Sequence, residues 1–517
     1  MLNYKIKSID EMSVDELIGQ VIMIGLPNLY LDDKYKDFIR DYKIGNYILF
    51  SRNYKDTKQL KSFMNEIYDY TMNITSSFPL VSIDQEGGMV VRLFKDVTFP
   101  GSPLTTSATV VPNAPYITGK IIGKDMLKLG INLNLAPCLE INENLSNPLV
   151  NVRGYGATKE IVLANAKKFV QGIQESGALT CVKHFPGAGS STKDTHLELD
   201  LVEESKETLL KYNMYPFIKL LESDALMSSH SIYKTFDKYP STLSNVLLTD
   251  VLRKEFGYEG LIISDGMEMK AIADHYGIGK GSVLALNAGC DILLLCHNYE
   301  DQKLAFDSVK EAVKNGTLSI EKLKEKVRRI NKAKQKLIKG LETNFTNEEY
   351  TVNEDEHSIM QKIVDNSYTL VKGKTPYIDS NTLIISSNVN VSSIVEDEFD
   401  ERNLTRALKN NFKDLTILDF QNDKDRINNL NNNLDKYSNI IIYSYDAYKD
   451  EYQKDIINML LETDKEVFVI SIKGPIDRGY FKNLKNYSCL YEYTPNSIRT
   501  IVKQLKNKIT MNGKLPM

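Results

Sequence analysis

The segment GLIISDGMEMKAIADHYGIGKGSVLALNAGCDILLLC (260–296) joins two short apolar runs, GLIISD (260–265) and DILLLC (291–296), through a helix-like stretch. Upstream, similar runs lie within 19–25 and at GNYILF (45–50), LVSID (80–84), NLNLAP (132–137), TCVKHF (180–185) and ALMSSH (225–230). Amphipathic spacers separate them, among them TKQLKSFMNEIYDYT (57–71), EIVLANAKKFVQGIQES (160–176) and KETLLKYNMYPFIKLLES (206–223). Buried strands that alternate with helices build a parallel sheet. Eight such units are what a (β/α)8 TIM-like barrel needs, and an open doubly wound sheet is the alternative. Polar residues cluster at the C-terminal ends of several runs: Asp84, Lys183, His184, His230 and Asp265. In a barrel that end is the reactive face.

The basic stretch SIEKLKEKVRRINKAKQKLIKG (319–340) reads as a solvated helix with Val327, Ile330 and Leu337 turned inward. It closes a barrel domain placed at 1–341. The polar, acidic ETNFTNEEYTVNEDE (342–356) opens a linker placed at 342–364. Beyond it TLIISS (382–387), LTILDF (415–420), NIIIYSY (439–445), EVFVISI (466–472) and CLYEY (489–493) read as strands. The chain thus divides into the barrel and a smaller C-terminal α/β sandwich domain, 365–517. No Gly-rich loop follows the first of these later strands and no catalytic constellation accompanies them. A structural or dimer-forming role is expected for this half.

The 517 residues carry 64 Lys+Arg against 68 Asp+Glu, a net charge of −4, which argues against a nucleic-acid binder. No apolar run is long enough to span a bilayer, so no membrane partner is expected. The N-terminus is too polar for a secretory leader, and the five cysteines form no C-x-x-C pair. Together these point to a cytoplasmic protein with reduced, packed thiols. No zinc-like spacing of His and Cys is present, so neither a metal nor another cofactor is expected.

Four stretches carry chemistry. In DQEGGMVVRL (84–93), adjacent glycines allow backbone to approach a ligand closely, and Arg92 follows Asp84 by eight residues. NPLVNVRGYG (147–156) presents Arg153 on a Pro/Gly-flanked loop. In CVKHFPGAGSSTKDTHLELD (181–200), Lys183 and His184 end a strand, and Asp194 stands two residues before His196. In that spacing a carboxylate can fix the imidazole tautomer and leave the other nitrogen to move a proton. Finally Asp265 sits at the tip of a buried strand, where a carboxylate is costly unless hydrogen-bonded or used. The plainer readings are a tight turn, a surface arginine, a core histidine and a helix N-cap.

These stretches, with ILFSRN (48–53), NLAPCLEINENLSNPLVNVRGYG (134–156), MSSHSIYKTFDKYPSTLS (227–244) and a closing GKLP (513–516), resemble the β-N-acetylglucosaminidases (β-N-acetylhexosaminidases) of glycoside hydrolase family 3, of the bacterial peptidoglycan-recycling type. The pattern K-H-F-P-G-x-G-x4-D-x-H (183–196) carries most of the likeness. It implies a retaining glycosidase with Asp265 as nucleophile, His196 as acid/base and Asp194 orienting it. Asp84, Arg92, Arg153, Lys183 and His184 would hold the sugar hydroxyls, and His230 would lie beside them. The substrate would be a GlcNAc-containing oligosaccharide or muropeptide, and the protein a possible homodimer. Other hexosidases of the family, a GlcNAc phosphorylase and a catalytically silent sugar binder stay open. Two departures stand out: Ala188 between the loop glycines, where His or Leu is usual, and Gly266 after the nucleophile.

Overall fold

A computed structural model describes residues 6–143, 147, 150–187, 199–344, 350–387, 402–481 and 483–517. Its first half is a closed barrel. The barrel strands are β1 (Ile22–Gly25), β2 (Asn46–Leu49), β3 (Leu80–Ile83), β4 (Leu133–Asn134), β5 (Leu179–Phe185), β7 (Ala225–Ser228), β9 (Leu261–Gly266) and β10 (Ile292–Leu295), while β6 (Leu201–Val202) and β8 (Ile232–Tyr233) pair as a small side sheet. All eight barrel strands are parallel, and closure comes from β1, whose Met23 pairs with Asn46 of β2 and Leu294 of β10. Each expected apolar run coincides with one of these strands. Their side chains are buried on both faces, one against the helices and one in the barrel interior, which explains runs without alternation.

Buried amides extend the shortest strand. Asn132 Oδ1 accepts the Val81 N–H at 2.8 Å, and the Asn134 side chain bonds both the N–H and the C=O of Gln85 at 3.1 and 3.0 Å. A two-residue strand is thereby tied to the segment carrying Asp84. The helix Ile320–Asn344 closes the domain with Val327, Ile330 and Leu337 fully buried, as expected.

The second half is a six-stranded sheet, in the order β11 (Thr369–Lys372), β16 (Asn486–Cys489), β15 (Glu466–Ser471), β14 (Asn439–Ser444), β12 (Thr382–Ser386) and β13 (Thr416–Asp419). Only β11 is antiparallel. Two sequence expectations need adjusting. The last strand lies at 486–489 rather than 489–493, and the edge strand β11 was not anticipated. Glu354–Asp365, which covers the second half of the expected linker and runs one residue past it, is a helix. Its acidic residues fall in the first turn, where the helix dipole favours them, and Asn353 caps the N–H groups of Asp355 and Glu356. Met360 and Ile363 of this helix pack on Ala114 and Ile121 of the barrel. The five cysteines are free and buried. Among the described residues, no helix is long and apolar enough to cross a membrane.

Candidate active site

At the C-terminal face of the barrel, β3 delivers the Asp84-Gln85-Glu86 segment. The Gln85 side chain folds it back on itself: Oε1 accepts the N–H groups of Arg92 and Leu93 at 2.9 and 3.1 Å, and Nε2 donates to Leu93 O at 2.9 Å. Arg92 is thus returned to Asp84, with Nη2 and Oδ2 3.6 Å apart. The turn between them needs Gly87 and Gly88, at φ 108° and 60°. A Cβ on Gly87 would lie 2.2 Å from Gly101 O, and one on Gly88 2.4 Å from Ser102 Cβ. The glycines therefore admit a neighbouring segment of this chain rather than the expected ligand.

β5 brings Lys183 into the same place. Its ammonium is 2.7 Å from both Asp84 Oδ1 and Glu86 Oε1. Arg153, on the short helical turn Asn151–Arg153, grips Glu86 with two parallel bonds, Nη2 to Oε1 at 2.7 Å and Nε to Oε2 at 2.9 Å. Burial alone would raise the Glu86 pKa, but the Arg153 and Lys183 charges outweigh it and hold the carboxyl well below the usual range. Burial would likewise lower Lys183, yet Asp84 and Glu86 keep it charged. The result is a pre-assembled array of three cations and two carboxylates, rich in directed donors for hydroxyl and amide oxygens.

His184 is oriented from below by Glu140. The carboxylate Oε1 lies 2.7 Å from His184 Nδ1 and also accepts the His184 backbone N–H at 2.7 Å. The Nδ1 proton is thereby fixed toward Glu140, which leaves Nε2 the unprotonated nitrogen of the neutral ring. His184 and Arg153 hold the Glu140 carboxyl below its ordinary pKa against the effect of burial. Cys138, Glu140 and His184 place potential ligand atoms within 4.8 Å of one another, but Arg153 lies against them and Cys138 is pushed far up by burial. A buried cation beside the group and a thiol held neutral do not suit a metal ion.

Asp265, the penultimate residue of β9, accepts its neighbour's N–H, Gly266 N to Oδ1 at 2.8 Å. His230 was expected beside the sugar. It is fully buried, with Nε2 2.9 Å from Gly266 O and Nδ1 2.8 Å from Thr242 Oγ1. A carbonyl only accepts, so Nε2 carries the proton, and His230 braces the peptide that follows Asp265. Gly266 has room: a Cβ there would meet nothing closer than 3.7 Å. Ala188, Asp194 and His196 lie outside the described residues. The last described residue before them is Gly187, φ 104°, whose N–H closes on His184 O at 2.9 Å.

Two carboxylates of this cluster carry no signal in the motifs described above. Glu86 stands beside the Gly-Gly pair with no feature of its own in the sequence, yet its side chain is the shared counter-anion of Arg153 and Lys183. Glu140 was passed over. Its signal was a lone carboxylate between apolar Leu139 and Ile141, a placement that is costly unless paired.

The model of the glycosyl hydrolase family 3 N-terminal domain matches residues 13–333. The chain belongs to glycosyl hydrolase family 3. A family 3 β-N-acetylglucosaminidase from Paenibacillus sp. has the same architecture throughout, with a TM-score of 0.90 and 30% identity over 98% of both chains. The β-hexosaminidase of Tolumonas auensis is 32% identical over 54% of this chain and 83% of its own length. The β-hexosaminidase A of Pseudoalteromonas piscicida is 30% identical over 59% of this chain, and the match spans about half of that relative, 56%.

Because Glu86 is ionised well below its unfolded pKa of about 4.3, its contribution to stability is complete above that pH and is lost as pH falls toward the folded value. Glu86→Gln removes the anion that Arg153 and Lys183 share and leaves two buried cations with less counter-charge. The expected loss is about 3–5 kcal/mol at pH 7, with flattening of the wild-type acid limb below about pH 4. Denaturant unfolding across pH measures both. A loss under about 1 kcal/mol would mean that the pair is already solvated.

Proposed function

We propose that the protein is a retaining exo-β-N-acetylglucosaminidase that releases terminal non-reducing GlcNAc from peptidoglycan- or chitin-derived fragments. The observation that carries this reading is the Glu86-centred array of Asp84, Arg153 and Lys183 on the barrel face that also holds Asp265. The likeness of the whole chain to a family 3 β-N-acetylglucosaminidase supports it.

In this mechanism Asp265 attacks the anomeric carbon while His196, oriented by Asp194, protonates the departing oxygen. The covalent glycosyl-aspartate then forms, and His196 deprotonates the water that cleaves it. Developing positive charge on the ring is offset by Asp265. The array fixes the ring hydroxyls and so converts binding into alignment of the anomeric carbon with Asp265 Oδ. His230 holds the Gly266 peptide so that Asp265 need not reorganise.

The test is a panel of aryl glycosides assayed with and without inorganic phosphate. Turnover of the β-GlcNAc glycoside well above the β-glucoside, giving free GlcNAc in phosphate buffer, is the expected result. Preference for the glucoside would shift the reading to another hexosidase. GlcNAc 1-phosphate as product would make the enzyme a phosphorylase. A family of glycosides bound but not turned over would make it a sugar-binding protein.

A further inference from the structure

The second domain reaches the Glu86 array through three layers of backbone. Its outermost layer is the segment that follows β16. There Glu492 is fully buried, and its Oε2 accepts the Ser102 N–H at 2.6 Å and the Thr105 hydroxyl at 2.8 Å. Thr494 donates to its Oε1 at 2.7 Å. On either side, the Ser102 hydroxyl donates to Tyr491 O at 2.9 Å and the Asn496 amide to Phe99 O at 3.1 Å. The second-domain strip 491–496 thus runs along barrel residues 99–105.

That barrel segment is the middle layer, and the Gly-Gly turn is the innermost. Gly88 N donates to Pro100 O at 2.9 Å, and the two glycines leave no space for a Cβ against Gly101 and Ser102. Glu86 N and Gly87 N both close on Val90 O, at 3.0 and 3.1 Å. A shift of Ser102 is therefore passed by backbone contact to the residue whose carboxylate holds Arg153 and Lys183. Side chains make the same link. Met89, inside the turn, is packed in the second domain's core, and its sulfur accepts the Tyr493 N–H at 3.2 Å. Val152, next to Arg153, belongs to that core too, and Gly474 of the second domain faces Asn151 and Val152.

We infer that the second domain sets the geometry of the Glu86–Arg153 pair, and that Glu492 is the positioning residue through which it does so. It touches no substrate. The ion pair links two loops of the barrel, both backed by the second domain. A carboxyl is suited to the post because Ser102 N–H and two hydroxyls all donate to its oxygens. Residues 365–517 then contribute to the site by shaping it, which goes beyond the structural role expected from their sequence.

The experiment uses the full chain and the glycoside the wild type turns over best, so it rests on the glycosidase reading only for its readout. A wild type without turnover would overturn that reading, not this one, and sugar binding by calorimetry then replaces KM. Glu492→Ala is expected to raise KM about tenfold and lower kcat/KM by roughly 10²-fold at temperatures where the variant is fully folded, since a misplacement of about 1 Å costs that much. Glu492→Gln keeps an acceptor for Ser102 and Thr105 and is expected to recover most of the loss. Leu460→Ala, in the second domain's core on the helix Glu451–Leu461, should lower the melting midpoint with kcat and KM unchanged. Should Glu492→Ala fail to fold, Thr105→Val removes one donor at near-constant size, and a KM rise of about fivefold is expected. Wild-type kinetics in Glu492→Ala or, failing that, Thr105→Val would overturn the inference. So would a Leu460→Ala variant with the same KM rise, since general destabilisation would then suffice.

Discussion

Asp265→Asn is expected to keep the fold and to lose roughly 10⁴-fold or more in turnover, as removal of a nucleophile does elsewhere. The fold survives because the Asn side-chain oxygen can still accept the Gly266 N–H, the 2.8 Å bond that Asp265 Oδ1 makes. Turnover does not, because a neutral amide neither attacks the anomeric carbon nor balances its positive charge. A fluorinated glycoside that slows hydrolysis of the covalent intermediate should label the peptide containing Asp265 in the wild type, and not in the variant. Label on another carboxylate, with Asp265→Asn fully active, would remove Asp265 from this role. Glu268 is the alternative to watch. It lies three residues on, and burial raises its pKa while the His297 N–H opposes.

His196→Ala should divide substrates by leaving group. On a disaccharide, whose departing sugar oxygen is strongly basic, the rate is expected to fall by about 10²–10⁴-fold, the usual worth of general acid catalysis. On a nitrophenyl glycoside, whose leaving group needs little protonation, the fall in the bond-breaking step should be small. Asp194→Asn acts in the same direction, because the imidazole loses the charge that orients it and favours its protonated form. The ratio of the two rates is what matters. Equal losses on both substrates in His196→Ala would mean that another group donates the proton.

The barrel was open to reading in the sequence because each strand is buried on both faces. Runs such as LIISD and ILLL therefore have no competing polar period to obscure them. Asp84, Lys183, His184 and Asp265 were legible for a related reason. Each is a charged or titratable group at the end of an apolar run, a position that is costly unless used. The C-terminal edge strand β11 (TLVK) was not legible, since half-exposed edge residues carry no such contrast. The helix Glu354–Asp365 was hidden too, because its acidic first turn has the composition of a linker.

What sequence alone determined was local: which segments form the barrel strands, and which of those strands end in charged or titratable side chains. Tertiary structure decided the partnerships. Glu86 sits two residues from Asp84 in a turn motif, and nothing in that spacing says that Arg153 and Lys183 share its carboxylate, 67 and 97 positions away. Nor does spacing say that His184 rests on Glu140, that His230 turns toward Gly266, or that Glu492 lies on Ser102, 390 residues distant. Backbone periodicity is fixed by a few neighbouring side chains and is written in the order of residues. The pairing of a buried charge is fixed by which groups the closed barrel and the docked second sheet bring within about 3 Å, and only the folded chain sets those distances.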